Sequence, residues 1–455
     1  MTSRLTFSGA LILGVAFVGA GEAQQAKSVY RTPNSALVSI VDAAPTPGVS
    51  LGPNHEWMLL LESPSLPSIA ELAERELRLA GMRIKPQING RSRTRPYDGL
   101  TLLRMSDRAE RAITGLPESP RIENVRWSPN GKWVSFTNTT DDGIALWVAE
   151  VRTAEARRLT GPVVNMTMAS APAWLSDNQT LIAAVVPEGR GPEPQASRVP
   201  TGPTIQENID KTAPARTYQD LLSNENDERL WEYYATSQLV RIDLDGGIAP
   251  LGKPSLVSSF SSSPDGNYVL VQTLHRPFSY LVPAYRFPRR IEVLDLAGSS
   301  VHVVAELPLQ EGVPMAFGSV PTGPRSVRWR GDAAATLVWA EALDGGDGRR
   351  QAEERDEIFM LDAPFDGTPQ SLITLGLRYG GIRWGTDDVA MVYSSWRRTR
   401  QVRAWLVKPG DGGAEPELLF DRSSEDRYGD PGAPDTRRNA MGRSVIITGD
   451  GGRTV

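Results

Sequence analysis

At 455 residues, with 40% hydrophobic and 23% charged residues, the chain has the length and composition of a large soluble globular protein. Its formal net charge of -5 argues against general nucleic-acid binding, which relies on a basic surface, while leaving room for a local basic pocket. Cysteine is absent, which removes disulfides, thiolate metal sites, cysteine nucleophiles and lipoprotein attachment together.

Met1 to Ala23 reads as a secretory signal peptide: Arg4 is the short positive region, Leu5 to Ala20 is apolar, and Gly21-Glu22-Ala23 supplies small residues before a cleavage point. The competing reading is a membrane anchor, but the small residues at the end favour cleavage, so no stable membrane anchor is expected afterwards. Export without disulfides fits a periplasmic or secreted protein. Residues 24–36 read as an N-terminal extension.

From residue 37 onward the pattern is that of an all-β chain, to which 42 Gly and 35 Pro add turns. The first four-stranded unit spans Leu37 to Leu116 and is interrupted by a helix. Ser68-Ile-Ala-Glu71 forms a capping box. Ile69, Leu72, Ala73, Leu77 and Ala80 fall on one helical face, and Gly81 supplies the stop. The clearest unit is 120–162. Val125-Arg-Trp is followed by the turn Ser128-Pro-Asn-Gly131 and a strand, and Asp141-Asp-Gly143 makes a second turn. Ile144-Ala-Leu-Trp-Val148 and Arg157-Arg-Leu-Thr160 complete an antiparallel meander.

Related turns recur at Gly52-Pro-Asn-His55, Ser176-Asp-Asn178, Ser263-Pro-Asp-Gly266, Arg330-Gly-Asp332 and Gly385-Thr-Asp-Asp388. An aromatic residue precedes most of them: Trp127, Trp174, Phe260, Trp329 and Trp384. Such a repeat predicts a β-propeller of four-stranded antiparallel blades. A third blade begins near Ala171 and is split by an insertion at about 187–229, in which Thr217–Leu222 and Asp227–Tyr234 read as helical. Further blades cover about 254–305, 323–375 and 378–420. Ser444-Val-Ile-Ile-Thr448 reads as a strand of an incomplete seventh, so the propeller is taken as 37–455 with six blades and part of another. Because propellers protect their sheet edges by closing, that incomplete blade predicts a fragment of a longer chain or a truncated product.

Catalytic motifs fail on context. Gly48-Val-Ser50-Leu-Gly52 matches the letters of a nucleophile elbow, but a turn and a strand follow where a helix is required. Gly247–Lys253 resembles a phosphate loop with Pro254 in the Ser/Thr position, and Asp243-Leu-Asp245-Gly lacks the later ligands of a calcium loop. Histidine is limited to His55, His275 and His302, with no metal-ligand spacing. No catalytic residue, metal or cofactor is expected in this chain.

Two passages narrow the reading. One runs from Val199-Pro-Thr-Gly-Pro to Tyr233-Tyr-Ala-Thr-Ser-Gln-Leu239. The other is His275-Arg-Pro-Phe-Ser-Tyr-Leu-Val-Pro283 with Tyr285-Arg-Phe-Pro288. With Trp339–Gly346 and Ala363-Pro-Phe365, they resemble the prolyl oligopeptidase family of serine peptidases (S9), nearest to bacterial relatives of the chloroplast glutamyl endopeptidase. The resemblance implies an N-terminal propeller joined to a C-terminal α/β-hydrolase domain, and the chain as read stops before that domain. It implies a gate that admits flexible peptides and excludes folded proteins, inactive by itself, in a peptidase cutting after acidic residues. Peptide substrate, reached through the hydrolase domain, is then the expected partner, and no nucleic acid.

A glutamyl preference would call for cations opposite the substrate carboxylate. Arg276, Arg286, Arg289 and Arg290 cluster in the second passage, and Tyr280 with Phe278 and Tyr285 could line a cleft. The other reading of these residues is surface arginines paired with local acids, and aromatics in inter-blade packing. For the whole chain the alternative function is a non-enzymatic periplasmic propeller that binds a protein or ligand.

Overall fold

The computed structural model describes residues 33–196 and 218–449. The leader expected at 1–23 and most of the extension expected at 24–36 lie outside the described residues. Met1–Ala43 and Ala44–Val455 are separate compact units. In the first, Ser35–Val41 is a helix whose N-cap Asn34 accepts from the amide of Leu37. Blade strands begin only at Gly48.

The second unit is a β-propeller of antiparallel sheets. Blade 1 consists of Gly48–Leu51, Trp57–Glu62, Gly99–Arg104 and Glu110–Ala112; blade 2 of Ile122–Trp127, Trp133–Thr140, Gly143–Glu150 and Glu155–Arg158. Blade 3 begins with Ala173–Trp174, Thr180–Val185 and Ser237–Asp243. Its outer strand is the first part of Ile248–Ser262, which continues as the first strand of blade 4, so that two blades form one seven-stranded sheet. Tyr268–Leu274, Arg289–Asp295 and Ser300–Leu307 complete blade 4. Blade 5 is Arg325–Trp329, Thr336–Ala342, Asp356–Asp362 and Gln370–Leu375, and blade 6 is Arg378–Thr386, Val389–Trp396, Gln401–Val407 and Glu417–Ser423. Thr436–Arg438 and Ser444–Ile446 pair as the two strands of an incomplete seventh.

Period-two alternation explains how the blades stack, because successive side chains leave opposite faces of a sheet. In Gly143–Glu150, Trp147 and Ala149 pack toward blade 1, whereas Leu146 and Val148 pack toward blade 3. In Thr336–Ala342, Leu337 and Trp339 face blade 4, while Val338 and Ala340 face blade 6. Both faces are buried, so these strands are nearly continuous apolar runs.

The recurrent turns lie together at one end of the blades. In blade 2 the Ser128 hydroxyl accepts from the amide of Trp133 at 3.1 Å, and Gly131 takes φ +69°. Ser263 repeats this with Tyr268 at 3.0 Å, and Gly266 takes φ +81°. Neighbouring turns are joined: Asn54 Nδ2 donates to Asn130 O at 3.0 Å, the Asn130 amide to Asn178 Oδ1 at 2.7 Å, and the Asp265 amide to Ala334 O at 3.0 Å. Arg330 bridges Asp332 at 2.7 Å and Asp387 at 2.5 Å.

The seventh hairpin closes this end. Ile446 packs on Met391 and Ala404 of blade 6. From there the turn crosses to other blades: Asn439 Nδ2 donates to Gly331 O at 3.0 Å, and Arg443 Nη2 to Ser262 O at 2.6 Å. A Cβ at Gly442 would stand 2.6 Å from Pro129. One hairpin meeting the turns of blades 2, 4 and 5 places those turns around a common axis.

Two sequence expectations are corrected. The helix expected to run to Ala80 is only Ile69–Leu72, although the Ser68 hydroxyl does accept from the Glu71 amide at 3.1 Å. Leu77–Leu79 and Met82–Lys85 are instead strands of a hairpin turned by Ala80 and Gly81, both at positive φ. Leu77, Leu79, Met82 and Ile84 alternate with Arg78 and Arg83, so the apolar period is two rather than three to four. The second correction concerns 218–222, which carries no helix; Asp220 has φ +59°. The helix there is Glu225–Ala235, with Asn224 as N-cap accepting from Asp227. Ser50 sits in a strand and accepts from Trp127 Nε1 at 3.0 Å, which is a packing role.

Candidate functional site

Three long connections leave the blades between second and third strands, at the end opposite the recurrent turns: 63–98 from blade 1, 186–236 from blade 3 and 275–288 from blade 4. Their described residues, which for blade 3 are 186–196 and 218–236, fold onto one another as a crown with its own core. Trp231 is fully buried and makes edge contacts with Phe278 at 4.8 Å and Phe287 at 5.3 Å between ring centroids. Leu79, Ile84, Leu222, Tyr234 and Val282 close around them. Backbone bonds tie the three pieces: the Gly81 amide donates to Asp220 O at 2.7 Å, and the Ala284 amide to Ala80 O at 2.8 Å.

The five residues singled out in the sequence are not brought together as one site. Arg276 clamps Glu232 at 2.9 and 2.8 Å and also pairs with Glu228, both on the helix Glu225–Ala235. These hydrogen bonds hold its guanidinium above the ordinary value. Arg290 pairs with Glu306 and with Glu292 at 3.1 Å. Arg286 donates to Gln310 O at 3.0 Å. Tyr280 packs against the crown core, and burial, followed by a hydrogen bond to Glu228, pushes its phenol up to about 12.

Arg289 differs from the others. Its Nη2 donates to Tyr285 O, but its Nε is buried with no hydrogen-bond partner among the described residues. Burial lowers its pKa from the ordinary arginine value. It lines a cavity of about 310 Å³ beneath the crown with Arg91, Gln272, Ser258, Met168 and Tyr285. Arg91 also lines a neighbouring cavity of about 410 Å³, between the crown and the first strand of blade 2. There it is joined by Arg126, Arg121, Lys85 and Glu123, and burial raises the Glu123 carboxyl above its ordinary value. Arg126 reaches a third cavity of about 310 Å³, bounded by the seventh hairpin. Arg91, shared by the first two spaces, and Arg126, shared by the second and third, link them from the crown to the seventh hairpin along the first strand of blade 2.

Neither Arg91 nor Arg126 was singled out from the sequence. Arg91 sits in the two-residue strand Gly90–Arg91, which has no local signature. Arg126 did carry one, because the triplet around it recurs before other turns.

The chain is 40% identical over 432 residues to a probable chloroplastic glutamyl endopeptidase of Oryza sativa subsp. japonica, a match covering 92% of this chain and 46% of that protein. The chain belongs to the prolyl oligopeptidase family, as a β-propeller portion. A probable chloroplastic glutamyl endopeptidase of Arabidopsis thaliana is 41% identical over 431 residues, covering 92% of the chain and 45% of that protein. The propeller portion thus spans under half the length of these curated relatives. Among solved structures, the β-propeller domain of the Trilobed protease from Pyrococcus furiosus aligns over 85% of this chain and 99% of that one, at 11% identity and a TM-score of 0.34. No family model matches the chain. No described helix is long and apolar enough to cross a membrane.

Proposed function

We propose that this chain is the substrate-admitting propeller of an exported serine peptidase, and that the peptidase favours acidic peptides whose carboxylates are met by Arg289 and Arg91. One observation carries the acidic preference. Of the four clustered arginines, Arg289 alone combines a cavity-lining position with a buried, unpartnered Nε–H. A guanidinium left with an unused donor in a confined space gains most from a carboxylate, since charge-assisted hydrogen bonds are roughly twice as strong as neutral ones. Arg91 adds a second cation to the same wall and Gln272 a neutral donor. The crown restricts approach to extended chain, and such enclosure shields a reaction from bulk water, as lids do. The leader at 1–23 supports export to the periplasm or medium.

The test is calorimetric binding of a short peptide with one central glutamate, beside its glutamine counterpart, to the intact chain and to Arg289→Gln. The glutamate peptide should bind about tenfold tighter to the natural chain, and R289Q should abolish that difference. Equal binding of the two peptides to the natural chain would refute acidic recognition at this cavity. Binding of neither peptide, alongside capture of a folded protein, would favour the non-enzymatic propeller.

A further inference from the structure

Charge along the blade axis departs from the rest of the molecule. The chain is net acidic, yet the first strands of blades 2, 5 and 6 carry arginines, and of these only that of blade 2 holds an acid. Val125-Arg126-Trp127, Val327-Arg328-Trp329 and Ile382-Arg383-Trp384 place an arginine at the same position of three first strands, one residue before the tryptophan that precedes the turn. Each tryptophan packs back toward the preceding blade, Trp127 on blade 1, Trp329 on blade 4 and Trp384 on blade 5. Alternation therefore turns the arginine beside it away from that interface, and all three arginines are exposed. Arg437 and Arg438 extend the series on the seventh hairpin. Arg325 and Arg378 of the same strands are already committed to Asp356.

Counter-charge is scarce along this line. Glu123 is the one acid among the first strands, and none of Arg126, Arg328 and Arg383 forms an ion pair among the described residues. Arg328 donates only to Ser326 O at 3.3 Å and lies 6.0 Å from the Tyr379 ring centroid. Like charges facing one confined channel repel one another, and low-dielectric walls focus the resulting field. An anionic chain drawn into the channel relieves that repulsion.

We propose that the axial channel is an anion passage in which Arg126, Arg328 and Arg383 form a cationic row that binds extended, carboxylate-rich peptides. This rests on the peptide-admitting reading above and extends it: acidity along the peptide matters, in addition to one residue at the Arg289 cavity. Peptide is favoured over nucleic acid because the tryptophans beside the row are packed between blades, leaving no stacking platform for bases.

The probe is a fluorescent hexaglutamate, followed by anisotropy with the intact chain, beside hexaglutamine and a short oligothymidylate. Hexaglutamate should bind, hexaglutamine should not, and added salt should weaken binding steeply. The triple variant R126Q/R328Q/R383Q should lose about tenfold or more in affinity, while the control R152Q/R158Q/R398Q, which removes three exposed arginines from outer strands and turns, should match the natural chain. Should the triple variant not fold, R383Q alone with the salt series decides. Unchanged affinity in the triple variant (or in R383Q with a flat salt response) overturns the row, as does tighter binding of oligothymidylate. R289Q separates the two readings: loss of hexaglutamate in R289Q but not in the triple variant sinks the passage and keeps the cavity, and the reverse result keeps the passage alone.

Discussion

The indole Nε1 of Trp174 donates to the main-chain oxygen of Arg126 at 3.3 Å, from the first strand of blade 3 to that of blade 2. The same bond recurs as Trp127 Nε1 to Ser50 Oγ at 3.0 Å and Trp329 Nε1 to Ser261 O at 3.0 Å. Each spans two neighbouring blades, so the tryptophans before the turns act as inter-blade rivets as well as apolar bulk. In the case of Trp174 the rivet also fixes the backbone that presents Arg126 to the axis.

Removing a rivet should loosen one blade pair. Trp329→Phe keeps an aromatic against Phe365 but strands the Ser261 carbonyl and leaves a void; a loss of about 1–3 kcal/mol is expected, read from urea unfolding. A variant as stable as the natural chain would show that the indole bond contributes nothing net.

A buried ionic knot in blades 5 and 6 should be far more sensitive. Arg378 donates to Asp344 at 2.7 Å through Nη2 and to Asp356 at 2.8 Å through Nη1, and both aspartates are buried. Arg355 adds a bond to Asp344 at 2.8 Å and lies 3.8 Å from the Trp396 ring centroid. Arg378→Met leaves two carboxylates short of a partner and should cost about 3–5 kcal/mol. Thermal unfolding, followed by a double-mutant cycle with Asp344→Asn, measures how much of this is the unpaired acid.

The crown offers a local test. Gly81 has φ +82°, and a Cβ there would lie 2.5 Å from Pro283. Gly81→Ala should strain the hairpin and weaken the bond to Asp220 without unfolding the blades. Limited proteolysis should show faster cleavage within 218–236 and 275–288, while the main unfolding transition stays in place. Unaltered cleavage would mean that the crown does not depend on this contact.

Alkaline titration should report the same region. Burial, then the charge of Glu193, pushes Tyr234 up to about 12, and Tyr280 also reaches about 12, against an ordinary value of 10.0. The folded state therefore holds protons that the unfolded state has released. Stability from these phenols is fully present below pH 10 and is lost as pH rises toward 12. Phenolate absorbance should show late-titrating groups, Tyr234 and Tyr280 beside Tyr379 and Tyr393, whose phenols burial also raises, and Tyr280→Phe should remove one of them. Titration of every tyrosine near 10 would contradict this.

The blade repeat was legible because its turn chemistry is local: Ser128 and Ser263 hold their own hairpins, and Gly131 and Gly266 supply the positive φ those turns need. Boundaries for blades 2, 4, 5 and 6 follow from that punctuation alone. Local reading failed in the crown. There Leu77 to Ile84 fits a helical face nearly as well as a strand, and the choice was made by pairing with Met82–Lys85 and by Asp220 and Pro283 from distant loops.

Site residues divide in the same way. The sequence alone determined the propeller, the insertions and the presence of four arginines near one another, since spacing and turn residues are written in the chain. Only tertiary structure decided that Arg276 is held by Glu228 and Glu232 from 44 and more residues away, that Arg290 is held by Glu306, and that Arg289 keeps a free donor in a cavity shared with Arg91. A cation's availability depends on which acids fold against it, and those partners arrive from a neighbouring strand for Arg290 and from another blade's connection for Arg276.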